Sequence, residues 1–312
     1  MGRKLVAAVA QLGPIHLADT RKSVVKRLVA MLREAHGLGA RYVVFPEMAL
    51  TTFFPRYWIE DQGVVDSYFE AQMPSPDTMP LFETARELGV GFYLGYAELA
   101  EEEGKTRRYN TAILVGPDGR IVGKYRKIHL PGHAEHRPDA PFQHLEKKYF
   151  EVGNLGFPVW RNQGCVMGMM LCNDRRWPES YRVMGLQGVE LISVGYNTPI
   201  ENINHPEPVH LRQFHNWLSV QAGAYQNSAW VLASAKCGAE DGYAMHGGSC
   251  IAAPTGEIVA RCSTEADEVI VAQCDLTLCE HYRKAVFNFA RHRRPEHYKL
   301  IVERTGAEPP PE

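Results

Sequence analysis

Met169-Met170-Leu171-Cys172-Asn173-Asp174-Arg175-Arg176-Trp177-Pro178-Glu179 is the stretch that decides how this chain folds. Cys165 to Leu171 is an apolar run of strand length, and it stops at the Cys172 thiol. Pro178 then opens a helical pattern that runs to Leu186, with Gly188 as its terminating glycine. In sheets covered by helices, reactive groups gather where strands end.

Two other stretches share this layout. Val43-Val44-Phe45-Pro46 ends at Glu47, and Tyr125-Arg126 leads to Lys127, with Ile128-His129-Leu130 beyond. Around them the pattern alternates. Val6 to Gln11 reads as a buried strand. Asp19 and Thr20 offer a helix N-cap, followed by an apolar face of Val25, Leu28, Val29 and Leu32 that stops at Gly37 and Gly39. Tyr42 to Phe45 and Val90 to Ala97 read as strands, with a helix over Leu81 to Leu88 between them. Asn110 to Val115 and Ile121 to His129 flank Gly116-Pro117-Asp118-Gly119, the chemistry of a hairpin turn. A second hairpin surrounds Pro254-Thr255-Gly256. Leu191 to Gly195, Trp230 to Ala235, Ser249 to Ala253 and Val269 to Cys274 supply further strands, and Leu211 to Tyr225 a long helix. Strands alternating with helices predict an α/β fold with a mixed sheet and helices outside. Residues 1–280 read as one domain. The basic segment 281–312, ending in Pro309-Pro310-Pro311, reads as a C-terminal arm that packs on another subunit or trails in solvent.

Bulk properties exclude several classes. The 312 residues carry a formal net charge of −2, so no basic field points to nucleic acid or to an anionic membrane. The apolar run Leu5 to Ala10 is too short for a signal-peptide core, and no run of 18 apolar residues exists. The seven cysteines are odd in number and include no CxxC, which fits a reducing cytoplasm rather than a disulfide framework. His129, His133 and His136 match no common metal-ligand spacing, and no GxGxxG or Walker loop occurs. Neither a metal nor a nucleotide cofactor is expected.

The three strand-end groups complement one another chemically. A thiol attacks as its thiolate and so needs a base, a role open to Glu47. That glutamate can then pass the proton to a leaving nitrogen, for which its pKa must lie nearer neutrality than usual. Lys127 can lower the thiol pKa and bind the oxyanion of a tetrahedral intermediate, with the backbone N–H after Cys172 as a second donor. Taken singly, a cysteine ending an apolar strand is usually core, and a lone Glu or Lys is usually a surface or salt-bridged group.

Residues 43–47 (VVFPE), 124–130 (KYRKIHL) and 171–179 (LCNDRRWPE) resemble, in order, the three catalytic motifs of the nitrilase (carbon–nitrogen hydrolase) superfamily. The runs 49–55, 129–133, 141–147, 195–199 and 252–259 are similar to its branch acting on N-carbamoyl-D-amino acids, whereas 134–140 and 200–210 depart from that pattern. The resemblance implies a four-layer α-β-β-α sandwich and a Glu47–Lys127–Cys172 triad. It also implies a homo-oligomer, dimer or tetramer, whose C-terminal arms cross the interface. Glu146 matches a second glutamate that helps position the lysine and water.

A carbamoyl amino acid carries a carboxylate, which an arginine fork suits. Arg175 and Arg176 are the candidates, one to hold substrate and the other to brace a neighbouring carboxylate; a purely structural or solvated pair is the alternative. Asn173, Asn197 and Thr198 lie at strand ends reaching the same cleft, and His129 and His144 are candidate polar neighbours. The implied activity is hydrolysis of the carbamoyl C–N bond. A β-ureidopropionase or an aliphatic amidase is the nearest alternative.

Overall fold

A computed structural model describes residues 2–140, 142–201 and 208–311. Pro141, in one family-like run, and 202–207, in the divergent stretch 200–210, lie outside the described residues. In chain order the strands are β1 (Lys4–Gln11), β2 (Tyr42–Val44), β3 (Gly91–Glu102), β4 (Lys105–Val115), β5 (Ile121–Arg126), β6 (Val159–Asn162), β7 (Cys165–Leu171), β8 (Leu191–Tyr196), β9 (Trp230–Ala235), β10 (Cys237–Glu240), β11 (Tyr243–His246), β12 (Cys250–Ala252), β13 (Ile258–Arg261) and β14 (Glu268–Asp275). They form two six-stranded mixed sheets, ordered β14-β1-β2-β3-β4-β5 and β13-β12-β9-β8-β7-β6, and a small β10–β11 hairpin. β1–β2–β3 and β7–β8–β9 run parallel at the two sheet centres, with antiparallel strands at the edges.

Alternation along each strand sorts side chains between two faces. Ala8 and Ala10 of β1, Val43 of β2 and Phe92 of β3 meet Val24, Leu28 and Leu32 of the helix Arg21–Gly37 and Leu81 and Phe82 of the helix Met79–Leu88. Their neighbours Ala7, Val9, Tyr42, Val44 and Tyr93 face the other way, onto Met167, Met169, Leu171, Leu191 and Leu232 of the second sheet. On the far side, Met170, Ile192, Val194 and Val231 pack under Tyr181 and Met184 of the helix Pro178–Leu186 and Val220 and Ala224 of the helix Val209–Asn227. Three apolar cores therefore alternate with two sheets, helices outermost, each fully buried aliphatic side chain contributing about 1.5–3 kcal/mol. Tyr42 Oη lies 2.8 Å from Ser193 Oγ, and Tyr93 O–H donates to Met170 O at 2.9 Å, so the middle core is stitched by polar contacts as well.

Local chemistry explains the element ends. Thr20 Oγ1 accepts from Ser23 N–H, and Ser23 Oγ accepts from Thr20 N–H, a reciprocal cap for the first helix. Three expected strands stop early, β12 at Ala252 rather than Ala253 among them. β2 ends at Val44 rather than Phe45, and β5 at Arg126 rather than His129, because the chain turns there to deliver Glu47 and Lys127. β6 and the β10–β11 hairpin are additions: each strand has four residues, too few to show a period. The helices Phe289–His292 and Leu300–Glu303 of the C-terminal segment bury no residue. No described helix is long and apolar enough to cross a membrane.

Two glycines fix how closely the sheets approach the first motif. A Cβ on Gly95, in β3, would lie 2.7 Å from Glu47 Cα. One on Gly195, in β8, would lie 2.6 Å from Glu47 N and 2.7 Å from Pro46 C. The Pro46–Glu47 backbone is thus clasped between glycines of opposite sheets, with no room for a methyl group on either side. Gly195→Ala should destabilise the fold by about 1–3 kcal/mol through overpacking. A melting temperature equal to that of the parent protein would contradict this.

Candidate active site

Glu47 follows β2, Lys127 follows β5, Cys172 follows β7 and Asn197 follows β8, so each sheet delivers two strand ends to one place. Lys127 Nζ donates to Glu47 Oε1 at 2.8 Å and to Glu146 Oε2 at 2.5 Å, and all three groups are wholly buried. Glu47 is held from three further directions. Its Oε1 accepts from Asn110 Nδ2 (2.8 Å), its Oε2 accepts from Asn197 N–H (2.9 Å), and its carbonyl accepts from Asn197 Nδ2 (2.9 Å). Cys172 opens the 3-10 turn Cys172–Arg176 with φ at +45°, a left-handed conformation costly for a side-chain-bearing residue. Its Sγ lies 3.5 Å from Asn197 O. The first N–H groups of that turn have no intrahelical acceptor, which leaves donors beside the sulfur.

Burial and charge divide the two carboxylates. Burial raises the Glu47 pKa above the ordinary glutamate value, and Glu146 adds to the rise while Lys127 opposes it. For Glu146, burial also acts upward, but Lys127 and His144 outweigh it and hold the group below the usual range. Two glutamates on one ammonium are therefore pushed apart, one towards proton exchange and the other towards permanent charge. Burial works against the charge of Lys127, yet the Cys172, Glu146 and Glu47 charges keep its pKa above that of an ordinary lysine. Burial, then Glu47, pushes the Cys172 thiol up to about 11, so the resting sulfur is protonated at neutral pH and needs a base when it attacks.

Glu47, Glu146 and Cys172 place donor atoms within 4.8 Å of one another, a set that resembles a cation site. The Lys127 ammonium already bonds both carboxylates, so a side chain meets the charge that such a set would offer an ion.

The expected binding residues fall into two groups. Arg175 is buried under the Cys172–Arg176 turn, the elbow that carries the thiol, where its guanidinium donates to Cys172 O (2.6 Å), Asn216 Oδ1 (2.8 Å) and Thr198 Oγ1 (3.1 Å) and lies 4.2 Å from the Tyr196 ring centroid. It braces a carbonyl, an amide and a hydroxyl, rather than a neighbouring carboxylate. Arg176 is exposed beside it. Asn173 Nδ2 donates to His129 O at 3.1 Å, joining the elbow to the chain beyond Lys127. His129 Nδ1 pairs with Asp174 Oδ1 at 2.8 Å, and its ring stacks on Trp177 at 4.9 Å. His144 Nε2 lies 3.3 Å from Glu146 Oε1. Among the described residues His144 Nδ1, Asn110 Oδ1 and Asn197 Oδ1 are buried polar atoms next to the triad without a hydrogen-bond partner. Such atoms call for a ligand or water.

Asn110 and Asp174 belong to this constellation and escaped the sequence reading. Asn110 sits inside the long strand β4, where a polar residue reads as a surface position. Asp174 was quoted within its motif but given no task; its spacing of two from the thiol was the only available sign.

Comparison with known proteins agrees with the geometry. The carbon-nitrogen hydrolase family model matches residues 6–284. N-carbamoylputrescine amidase of Arabidopsis thaliana is 31% identical, the alignment covering 97% of this chain and 97% of the relative. Citrullinase of Francisella tularensis is 28% identical over 92% of this chain and 95% of its own length. A carbon-nitrogen hydrolase structure from Helicobacter pylori G27 superposes with a TM-score of 0.82 at 23% identity, over 97% of this chain and 99% of that one, a likeness of fold. With the family match spanning all three strand ends that carry glutamate, lysine and cysteine, the chain belongs to the carbon-nitrogen hydrolase family, as a cysteine-dependent hydrolase of amide C–N bonds.

Proposed function

We propose that the chain hydrolyses N-carbamoyl-D-amino acids to D-amino acids, ammonia and carbon dioxide. The observation that carries the chemistry is the buried Lys127 ammonium between Glu47 and Glu146, whose carboxylates lie within 4.8 Å of each other and of Cys172 Sγ. Glu47 takes the thiol proton as Cys172 Sγ attacks the carbamoyl carbon. Lys127 Nζ and a backbone N–H of the elbow bind the developing oxyanion. Collapse of the intermediate breaks one C–N bond, and Glu47 hands its proton to the departing nitrogen. A carbamoyl-type thioester remains on Cys172. Glu47 then deprotonates water, which attacks that carbonyl and restores the thiol. Glu146 stays ionised throughout and holds the lysine, itself steadied by His144. Removal of one oxyanion donor typically costs about 100- to 1000-fold in rate, so Lys127→Met should fall at least that far.

Two observations support a urea-type substrate. The relatives are named for N-carbamoylputrescine and citrulline, both terminal ureas. The unpaired Asn110 Oδ1 and Asn197 Oδ1 beside Glu47 match the N–H groups that a urea offers. For the tail, Arg176 and the two N–H groups of Arg175 not used in bracing supply positive charge for a carboxylate, with Asn173 and Thr198 beside them. The ammonium tail of N-carbamoylputrescine has no acidic partner in that pair, which favours the carboxylate. The exposed apolar side chains Val183, Leu186, Phe214, Leu218 and Tyr225 on the two outer helices support self-association as a dimer or tetramer, with segment 281–312 crossing the interface. The seven cysteines, all free, support a reducing, cytoplasmic setting.

A substrate panel tests the tail. N-carbamoyl-D-phenylalanine should be turned over at the highest kcat/KM, against its L-enantiomer, N-carbamoyl-β-alanine and N-carbamoylputrescine. A preference for N-carbamoylputrescine would replace the carboxylate assignment with an ammonium one. Cys172→Ala should abolish turnover and leave binding nearly intact.

The pH profile tests the division of the carboxylates. Glu47 must be ionised to accept the thiol proton, and its pKa is raised, so kcat/KM should fall on acidification at a pH above the ordinary glutamate range. Glu146→Gln removes one cause of that rise and should move the acid limb to lower pH while slowing turnover. A limb that stays in place would show that Glu146 does not set it.

A further inference from the structure

The Asp174 carboxylate is wholly buried and accepts four hydrogen bonds. Oδ1 accepts from His129 N–H (3.0 Å) and from His129 Nδ1 (2.8 Å). Oδ2 accepts from Tyr125 O–H (2.7 Å) and from Leu171 N–H (3.1 Å). Tyr125 Oη in turn accepts from Ile128 N–H at 3.3 Å. Since a carboxylate has only acceptors, the Nδ1 of His129 bears its proton.

The sequence positions of these partners carry the consequence. Tyr125, Ile128 and His129 lie on both sides of Lys127, which the first sheet delivers. Leu171 is the residue before Cys172, which the second sheet delivers. One carboxylate therefore ties the chain on either side of the lysine to the chain just ahead of the nucleophile, across the gap between the sheets. Asn173 Nδ2 on His129 O runs parallel to it, from the residue just after Cys172. Trp177 N–H donates to Asp174 O at 3.1 Å, and the Trp177 ring stacks on His129, so the elbow closes over the pair. A buried carboxylate is costly to desolvate, and an apolar residue could have filled the same space.

We propose that Asp174 is a positioning residue for the oxyanion site: it sets where the Lys127 ammonium stands relative to Cys172 Sγ. The bonds to Glu47 and Glu146 hold the Lys127 ammonium, and Glu47 meets the second sheet at Asn197, but none of them reaches the backbone that leads into Cys172. The Asp174 bonds do. A misplacement of about 1 Å between reacting groups can cost about 100-fold in rate. This role rests on the cysteine chemistry proposed above and not on the identity of the substrate tail.

The test uses the full-length protein and whichever amide the parent enzyme turns over, so the tail assignment can fail without affecting it. Asp174→Asn keeps the side-chain shape but sets an amide N–H₂ against donors. With rates referred to titrated Cys172, kcat should fall about 100-fold while KM stays within about twofold. Inhibition by the aldehyde analogue of that amide, whose thiohemiacetal oxygen occupies the oxyanion site, should weaken by about the same factor. Tyr125→Phe removes one of the four bonds and should lower kcat less. Added to Asp174→Asn, it should cost little more, because both act through one link. The proposal is overturned if folded Asp174→Asn keeps kcat within about threefold of the parent, if the loss appears in KM instead, or if aldehyde inhibition is unchanged. Should Asp174→Asn not fold, Tyr125→Phe decides: unchanged kcat and unchanged aldehyde inhibition overturn it.

Discussion

A single ammonium group, Lys127 Nζ, bonds two buried glutamates, and the rest of the site is arranged to make that tolerable. Three charged groups without solvent carry a desolvation cost of several kcal/mol each, which only close pairing and further hydrogen bonds offset. The further bonds come from Asn110, from Asn197 and from His144. Each of these lies on a different segment, so the cluster can exist only where three strand ends, the interior of β4 and the segment leading into the helix Glu146–Tyr149 converge. The same cost acts on protonation: burial raises the Glu47 pKa above that of an ordinary glutamate, with Lys127 opposing the rise.

The α/β class, the strand-end placement of Glu47, Lys127 and Cys172 and most element positions were legible in the sequence, because hydrophobic period and turn residues are local properties. Glu146 was found by resemblance alone, since nothing local distinguishes a glutamate that opens a four-residue helix. Asn110 and Asp174 were missed for a different reason. Their function is fixed by partners 63 and 45 residues away, at Glu47 and His129, and no local pattern encodes such pairs. Gly95 and Gly195 read as ordinary strand glycines. Only the approach of the opposite sheet shows why a side chain is excluded there. Arg175 was foreseen as part of the site, but its burial under the elbow was not, because the sequence does not say which of two adjacent arginines turns inward.

The site also separates what is fixed from what is free to vary. Glu47, Lys127 and Glu146 are locked by hydrogen bonds to one another, and the Cys172 thiol rests on Asn197 O at a strand end. Arg176, Trp177 and residues 134–139 lie exposed at or beyond the elbow.

The division of the catalytic groups between two sheets has a consequence for how the enzyme comes into being. Glu47 and Lys127 follow strands of the first sheet, Cys172 and Asn197 strands of the second, and they meet only across the interlocked middle core. A nascent or partly unfolded chain with one sheet assembled brings together only two of the four strand ends. The site is therefore complete only once the two sheets have packed on each other.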